Sequence, residues 1–223
     1  HRVTRSEQFL AKLLLLPSLY MHFFVEHNLG HHKHVATPED PASARKNQSV
    51  YGFWWSSVTG QIVSAIKIQR QLLKVNQARF FSLKNELLWF ALLQSAYLLI
   101  AYLAYGLEGL IYALAFAVVA VLLLETINYI EHYGLVRELK GERYERVSPV
   151  HSWNSNHVIG RMVLYELTRH SDHHHRASKK YQVLESIEES PQLPFGYTTS
   201  MVIALFPPVW FSLMNRRLAS QRT

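Results

Sequence analysis

Cysteine is absent from the 223 residues, which removes disulfides, thiolate zinc sites, haem-thiolate ligation and iron–sulfur clusters from what this chain can build alone. Any metal it holds must rest on imidazole or carboxylate. Charge is also sparse, with Asp, Glu, Lys and Arg making up 17% of the chain, below a typical soluble protein. No Glu is followed three residues later by His, so the Glu-x-x-His pairs of soluble ferritin-like di-iron bundles are missing. No internal repeat and no strand of useful length stands out, and the expected fold is all-α. His1 is not preceded by Met, and no basic segment, apolar segment and cleavage site follow it, so no signal peptide is expected. The sequence reads as the later part of a longer protein and as a single domain over residues 1–223.

What is present is strongly segregated. Leu87 to Leu107 has no charged residue, and Gly109 to Leu124 is wholly apolar, extending to about Ile130 around Glu125. Each is close to the ~20 residues that cross ~30 Å of hydrocarbon, and the short link Gly106-Leu107-Glu108-Gly109 predicts a spanning hairpin over about 87–130. Lys67, Arg70, Lys74, Arg79 and Lys84 precede it and Arg137, Lys140, Arg143 and Arg146 follow it, with no Lys or Arg at its tip. By the positive-inside rule both open ends face the cytoplasm. The net charge of +7 thus tracks membrane ends, which argues against nucleic acid as the partner. Interfacial or half-buried elements are expected over about 9–25, 61–77 and 198–214. The first carries Lys12, Pro17 and His22, the second puts Lys67, Arg70 and Lys74 on one helical face, and the third is interrupted by Pro207-Pro208. Gly141 to Pro149 reads as a polar loop.

Eight of the thirteen histidines stand in three clusters: EHNLGHH (Glu26 to His32), NYIEHYGL (Asn128 to Leu135) and RHSDHHH (Arg169 to His175). On an α-helix, His27 and His31 lie one turn apart on one face and His32 about a quarter-turn further round. His170, His173 and His174 repeat that logic at i, i+3 and i+4. Such triplets can chelate two ions, and His132 closes the second spanning segment within reach of them. Single histidines such as His22, His34, His151 and His157 are more often surface or supporting residues. Imidazole suits zinc, copper, nickel and iron alike, but a closed structural zinc site needs only four ligands. A nearly all-histidine site for two ions remains, and iron there suits O2 activation.

The blocks EHNLGHHKHVATPEDPASAR (Glu26 to Arg45), NYIEHYGL, SPVHSWNSNH (Ser148 to His157), TRHSDHHH (Thr168 to His175) and PQLPFGY (Pro191 to Tyr197) resemble the membrane-bound alkane 1-monooxygenases. The wider class of integral-membrane desaturases and hydroxylases shares the histidine spacing but not ATPEDPASAR. The resemblance implies a non-haem di-iron enzyme of the bacterial inner membrane, multi-pass, with its metal site on the cytoplasmic side. It implies insertion of one atom of O2 into the terminal C–H bond of an alkane, giving a 1-alkanol, with electrons delivered by rubredoxin. It also implies two Fe ions held by His27, His31, His32, His132, His170, His173 and His174, with His1 as the second histidine of an opening HExxH motif. Set against that family, the sequence reads as a fragment lacking the upstream transmembrane helices and one ligand, and it departs from the pattern at Thr168 and at His175, for which a surface or supporting role is favoured.

Glu26, Glu131 and Asp172 adjoin these histidines, and with Asn128 and Asn154 they are candidates to orient the ligand rings. The apolar helices offer an alkane a lipid-continuous route to the site. A fatty-acyl or sterol desaturase or hydroxylase is the alternative enzyme. A membrane metal-binding or transport protein is the alternative outside enzymes, although ionisable residues are nearly missing from the spanning segments.

Overall fold

The computed structural model describes residues 4–221, so His1 lies outside the described residues. The chain is mostly helical, as its sequence predicts. In order come α1 (Arg5–Leu14), α2 (Phe23–Glu26), a π-helical turn (His27–His31), α3 (His32–His34), α4 (Val50–Val75) and α5 (Glu86–His132). After a two-strand ribbon, β1 (Leu139–Lys140) and β2 (Arg143–Tyr144), follow α6 (Val158–Val163), α7 (His170–His175), α8 (Tyr197–Ala204) and α9 (Pro207–Ser220). The ribbon is antiparallel, Leu139 opposite Tyr144 and Lys140 opposite Arg143, and occupies part of the stretch expected as loop. The 198–214 stretch is interrupted where expected, α8 ending at Ala204 just before Pro207-Pro208. The proline pair opens α9, where a missing N–H costs nothing because first-turn donors have no helical partner.

Helix α5 is two arms joined at Gly106, whose φ of 62° and ψ of −150° are not helical. Glycine is needed there because a side chain would meet the steric barrier to positive φ. A Cβ placed on Gly109 would come within 2.4 Å of the Ala101 carbonyl oxygen. Eight residues of straight helix would separate these by about 12 Å, so the chain reverses at Gly106. The reversal follows the short apolar-run spacing in the sequence. Only 22% of the most apolar stretch of α5 is buried, whereas the core helix of a soluble protein would be mostly buried. Side chains such as Ile100, Leu103 and Tyr112 are 65%, 72% and 73% exposed.

The chain divides into two compact units. One comprises the segment ending at Gly30 and Thr59–Leu124. Its core is Met21, Val25 and Phe90. Lys12 clasps it by pairing with Glu86 at 2.8 Å while lying 4.6 Å over the Phe24 ring, and Gln94 accepts the Met21 backbone N–H.

The other unit comprises His31–Val58 and the chain from Glu125 onward. Its core gathers Val50, Phe53, Tyr129, Ile130, Tyr133, Trp153, Tyr197, Trp210 and Met214. This aromatic layer fixes the end of α5. The last carbonyls of a helix have no helical donor, and here Trp153 supplies two: its backbone N–H reaches Glu131 O at 2.8 Å and its indole Nε1 reaches Tyr133 O at 2.9 Å. Gly134, at φ 70°, then turns the chain toward Ala44, whose carbonyl takes the Gly134 N–H at 2.8 Å.

A Cβ on Gly134 would also lie 2.4 Å from Leu218 Cδ1. Gly134→Ala should therefore cost about 1–3 kcal/mol through strain and overlap, read as a lower thermal midpoint of the solubilised protein. The double variant with Leu218→Ala should recover the steric part of any loss. An unchanged midpoint in Gly134→Ala would contradict this account of the turn.

Candidate metal centre

Three separate segments of the second unit each deliver histidines to one buried place. The π-turn ends in His31, the last residue of α5 is His132, and α7 opens with His170 and carries His174 one turn later. All four are buried. Their donor nitrogens lie within 4.8 Å of one another. Nε2 of His174 is 3.2 Å from that of His31 and 2.9 Å from that of His170, which is 3.1 Å from that of His132.

Four Nε2 atoms gathered this closely cannot satisfy one another. A hydrogen bond between two imidazoles uses one N–H, and a neutral ring carries only one. On His31 that proton belongs on Nδ1, because Asp40 Oδ2 sits 2.9 Å away to accept it. Its Nε2 then presents a lone pair to the others. Protonating His174 is no remedy, since burial first, then repulsion from His170, His31, His32 and His132, drives its pKa well below the ordinary value. A cation resolves the arrangement. Metal–nitrogen bonds of ~2.0–2.1 Å put neighbouring nitrogens about 2.9–3.4 Å apart around one ion, matching the observed separations. The residues therefore fit a bound metal.

A second pairing lies beside this group. The His32 and His173 rings have centroids 4.7 Å apart, and His32 is also 4.7 Å from His174. Burial pushes the His173 pKa down to about 4, with His31 adding to the effect, and lowers that of His32 further. Both rings are thus neutral donors at physiological pH. His31 and His32, adjacent on the chain and so about 100° apart around a helix, serve different groups. The sequence spacing predicts an ordinary α-turn, whereas the extra residue in a π-turn re-aims the side chains around it, a common feature of functional sites. His27 begins that turn in the other unit and stacks on Phe23 at 4.8 Å. His175 is exposed.

The supporting residues are less evident from the sequence. Asp40, buried in the ATPEDPASAR loop, has no assigned role in the sequence reading, yet it fixes the His31 tautomer. Ser43 Oγ donates to the same oxygen at 2.6 Å and the Ala42 N–H to the other at 3.1 Å. Burial opposes ionisation of Asp40, but the His31 imidazole and these bonds outweigh it and lower its pKa. Glu131 places Oε2 3.2 Å from His170 Nε2, the nitrogen that faces the other rings, and accepts Tyr197 Oη–H on Oε1 at 2.9 Å. Asp172 turns to Lys179 Nζ at 2.7 Å and the Glu185 N–H at 2.8 Å rather than to an imidazole. Glu26, in the other unit, accepts from Ser64 Oγ at 3.1 Å. Asn154 lies buried where residues 152–155 run between Thr168 and Pro191. The acidic residue at the start of a Pro-rich loop nine positions after a ligand was the available signal for Asp40. Tyr197 offered none beyond its motif.

Replacing Asp40 with Ala should weaken metal binding 10- to 100-fold, because an outer partner sets ligand orientation and basicity. Asp40→Asn, which can still accept through its carbonyl, should lose less. Titration of the metal-free protein with Fe(II) checks this, and wild-type affinity in Asp40→Ala would contradict it.

Residues 1–203 match the model of the fatty acid desaturase family. Among curated proteins the chain is 42% identical over 219 residues to alkane 1-monooxygenase 2 of Alcanivorax borkumensis, covering 98% of this chain and 57% of that protein. It is 45% identical over 220 residues to alkane 1-monooxygenase 1 of Pseudomonas aeruginosa, covering 98% and 57%. The hydroxylase component of a xylene/toluene monooxygenase of Pseudomonas putida is 31% identical over 193 residues, 86% and 51% of the two chains. The chain thus spans just over half the length of the relatives it matches. A buried convergence of imidazoles within a helical chain, and a family match over residues 1–203, together place this chain in the fatty acid desaturase family.

Proposed function

We propose that this chain is the metal-holding part of a membrane-bound alkane 1-monooxygenase that converts alkanes to 1-alkanols with O2. The observation that carries the reading is the meeting of four imidazole Nε2 atoms in a buried place, in a chain whose relatives bear that name. Two non-haem irons are the proposed metals, with His27, His31, His32, His132, His170, His173 and His174 as ligands from this chain and His1 as a further one. Bound there, iron supplies the stepwise electron transfer that reduction of O2 requires.

The chain's own residues would do the rest. Neutral imidazoles keep their lone pairs on the metal side because protonation is suppressed by burial. Asp40 locks the His31 ring, and Tyr197 holds Glu131 against His170. The exposed apolar arms of α5 suit a hydrocarbon environment, and the basic residues flanking them favour the inner membrane with the centre on the cytoplasmic side. An alkane has no polar handle, so shape and lipid access must position it. The same basic flanks suit an acidic electron donor, with rubredoxin the proposed one.

Iron analysis of the membrane-extracted protein, paired with conversion of octane to 1-octanol, tests the proposal. His31→Ala or His173→Ala should abolish iron loading and hydroxylation while the protein stays in the membrane, whereas His34→Ala and His157→Ala should be far milder. Wild-type turnover in both of the first two variants would defeat the ligand assignment. Conversion of acyl chains but not of octane would move the substrate to a desaturase or acyl hydroxylase.

A further inference from the structure

The second arm of α5 carries a polar stripe that metal binding does not explain. Glu125, Asn128 and His132 stand at i, i+3 and i+7, so their side chains leave the helix within about 60° of one another. All three are buried, at 0%, 3% and 0% exposure. The sixteen residues before Glu125 are apolar from Gly109 to Leu124, so a carboxylic group here is costly to bury and its retention calls for a function. Ser57 of α4 donates its hydroxyl to Glu125 Oε2 at 2.6 Å. Next to it, Trp54 Nε1 donates to Thr126 Oγ1 at 3.0 Å. Asn128 Nδ2 is buried and finds no hydrogen-bond acceptor among the described residues. Buried donors of this kind are met by ordered water. The rise of seven helical residues separates Glu125 from His132 by about 10 Å, a distance that side chains and a short file of water can bridge.

An alkane offers nothing for this stripe to bind. The reaction needs something else at the metal centre: RH + O2 + 2 e⁻ + 2 H⁺ → ROH + H2O. Two electrons arrive from the donor protein, one oxygen atom enters the new C–O bond, and the other must collect two protons.

We propose that Glu125, held by Ser57 and continued by water bound at Asn128, is the residue that relays protons to the metal centre. The inference rests on the monooxygenase reading above. In each passage the carboxylic acid O–H of Glu125 gives its proton to the adjacent water, a proton moves on along the stripe, and the carboxylate regains one by way of the Ser57 hydroxyl bonded to it, which is itself reprotonated from the α4 side. The residue ends as it began, and two such passages supply the water that leaves. A helix clamp made by hydrogen bonds to Glu125 would depend on hydrogen bonding and not on an acidic proton, which gives the test.

Glu125→Gln keeps the size and hydrogen-bonding capacity of the side chain and removes only the acid. In the iron-loaded protein, kcat for octane should fall at least tenfold at unchanged iron content and KM. The solvent deuterium isotope effect on kcat should rise above the wild-type value, and Glu125→Asp should recover part of the rate. Wild-type kcat and isotope effect in Glu125→Gln would overturn the relay. Should that variant fail to load iron, Ser57→Ala and Asn128→Ala decide by the same two readouts, and wild-type values in both would overturn it equally. A wild-type protein that loads iron but oxidises no alkane would instead bring down the monooxygenase reading, and the relay with it.

Discussion

Mutual exclusion of protons from a buried group of imidazoles is the constraint on which the site depends. Rings from the π-turn, from the end of α5 and from α7 meet with their Nε2 atoms about 3 Å apart. Burial and repulsion from neighbouring rings disfavour charge on His174, and a neutral ring with a single N–H leaves the group short of donors. Left alone such a group is destabilising, since each unmet buried nitrogen costs about 1–3 kcal/mol. A cation converts the same lone pairs into ligands, so metal binding and local folding are coupled. The surrounding architecture serves to hold these rings in place against their own repulsion.

That holding is done by elements remote from one another in sequence. Trp153 closes the end of α5 just where His132 stands, and Gly134 lets the chain turn away at once. The loop after His31 returns Asp40 to the ring that precedes it by nine residues, while Tyr197 at the head of α8 braces Glu131. Each prop acts on a ring or its neighbour through a hydrogen bond in a water-poor interior, where directional bonds are strengthened and errors are costly.

The sequence made the histidine clusters and the apolar hairpin legible because both are local patterns. Spacing of a few residues fixes which rings share a helical turn, and a long apolar run broken by Gly106 fixes a reversal. What spacing could not give was the π-turn over His27–His31, which replaces the i to i+4 alignment of an α-turn by i to i+5, or the side on which Glu131 acts. A one-residue widening of a turn leaves no mark in composition. The partner of His31 was hidden for another reason: Asp40 lies in a loop whose path depends on tertiary bonds such as the one from Gly134 N to Ala44 O. Likewise the ribbon at 139–144 has only two residues per strand, too few for any alternating pattern.

Iron K-edge X-ray absorption of the iron-loaded protein is the most direct measurement of the central idea. A first shell dominated by nitrogen, with the outer-shell scattering of several imidazoles that diminishes in His174→Ala, is the predicted result. An oxygen-dominated shell without imidazole scattering, unchanged by His174→Ala, would contradict it.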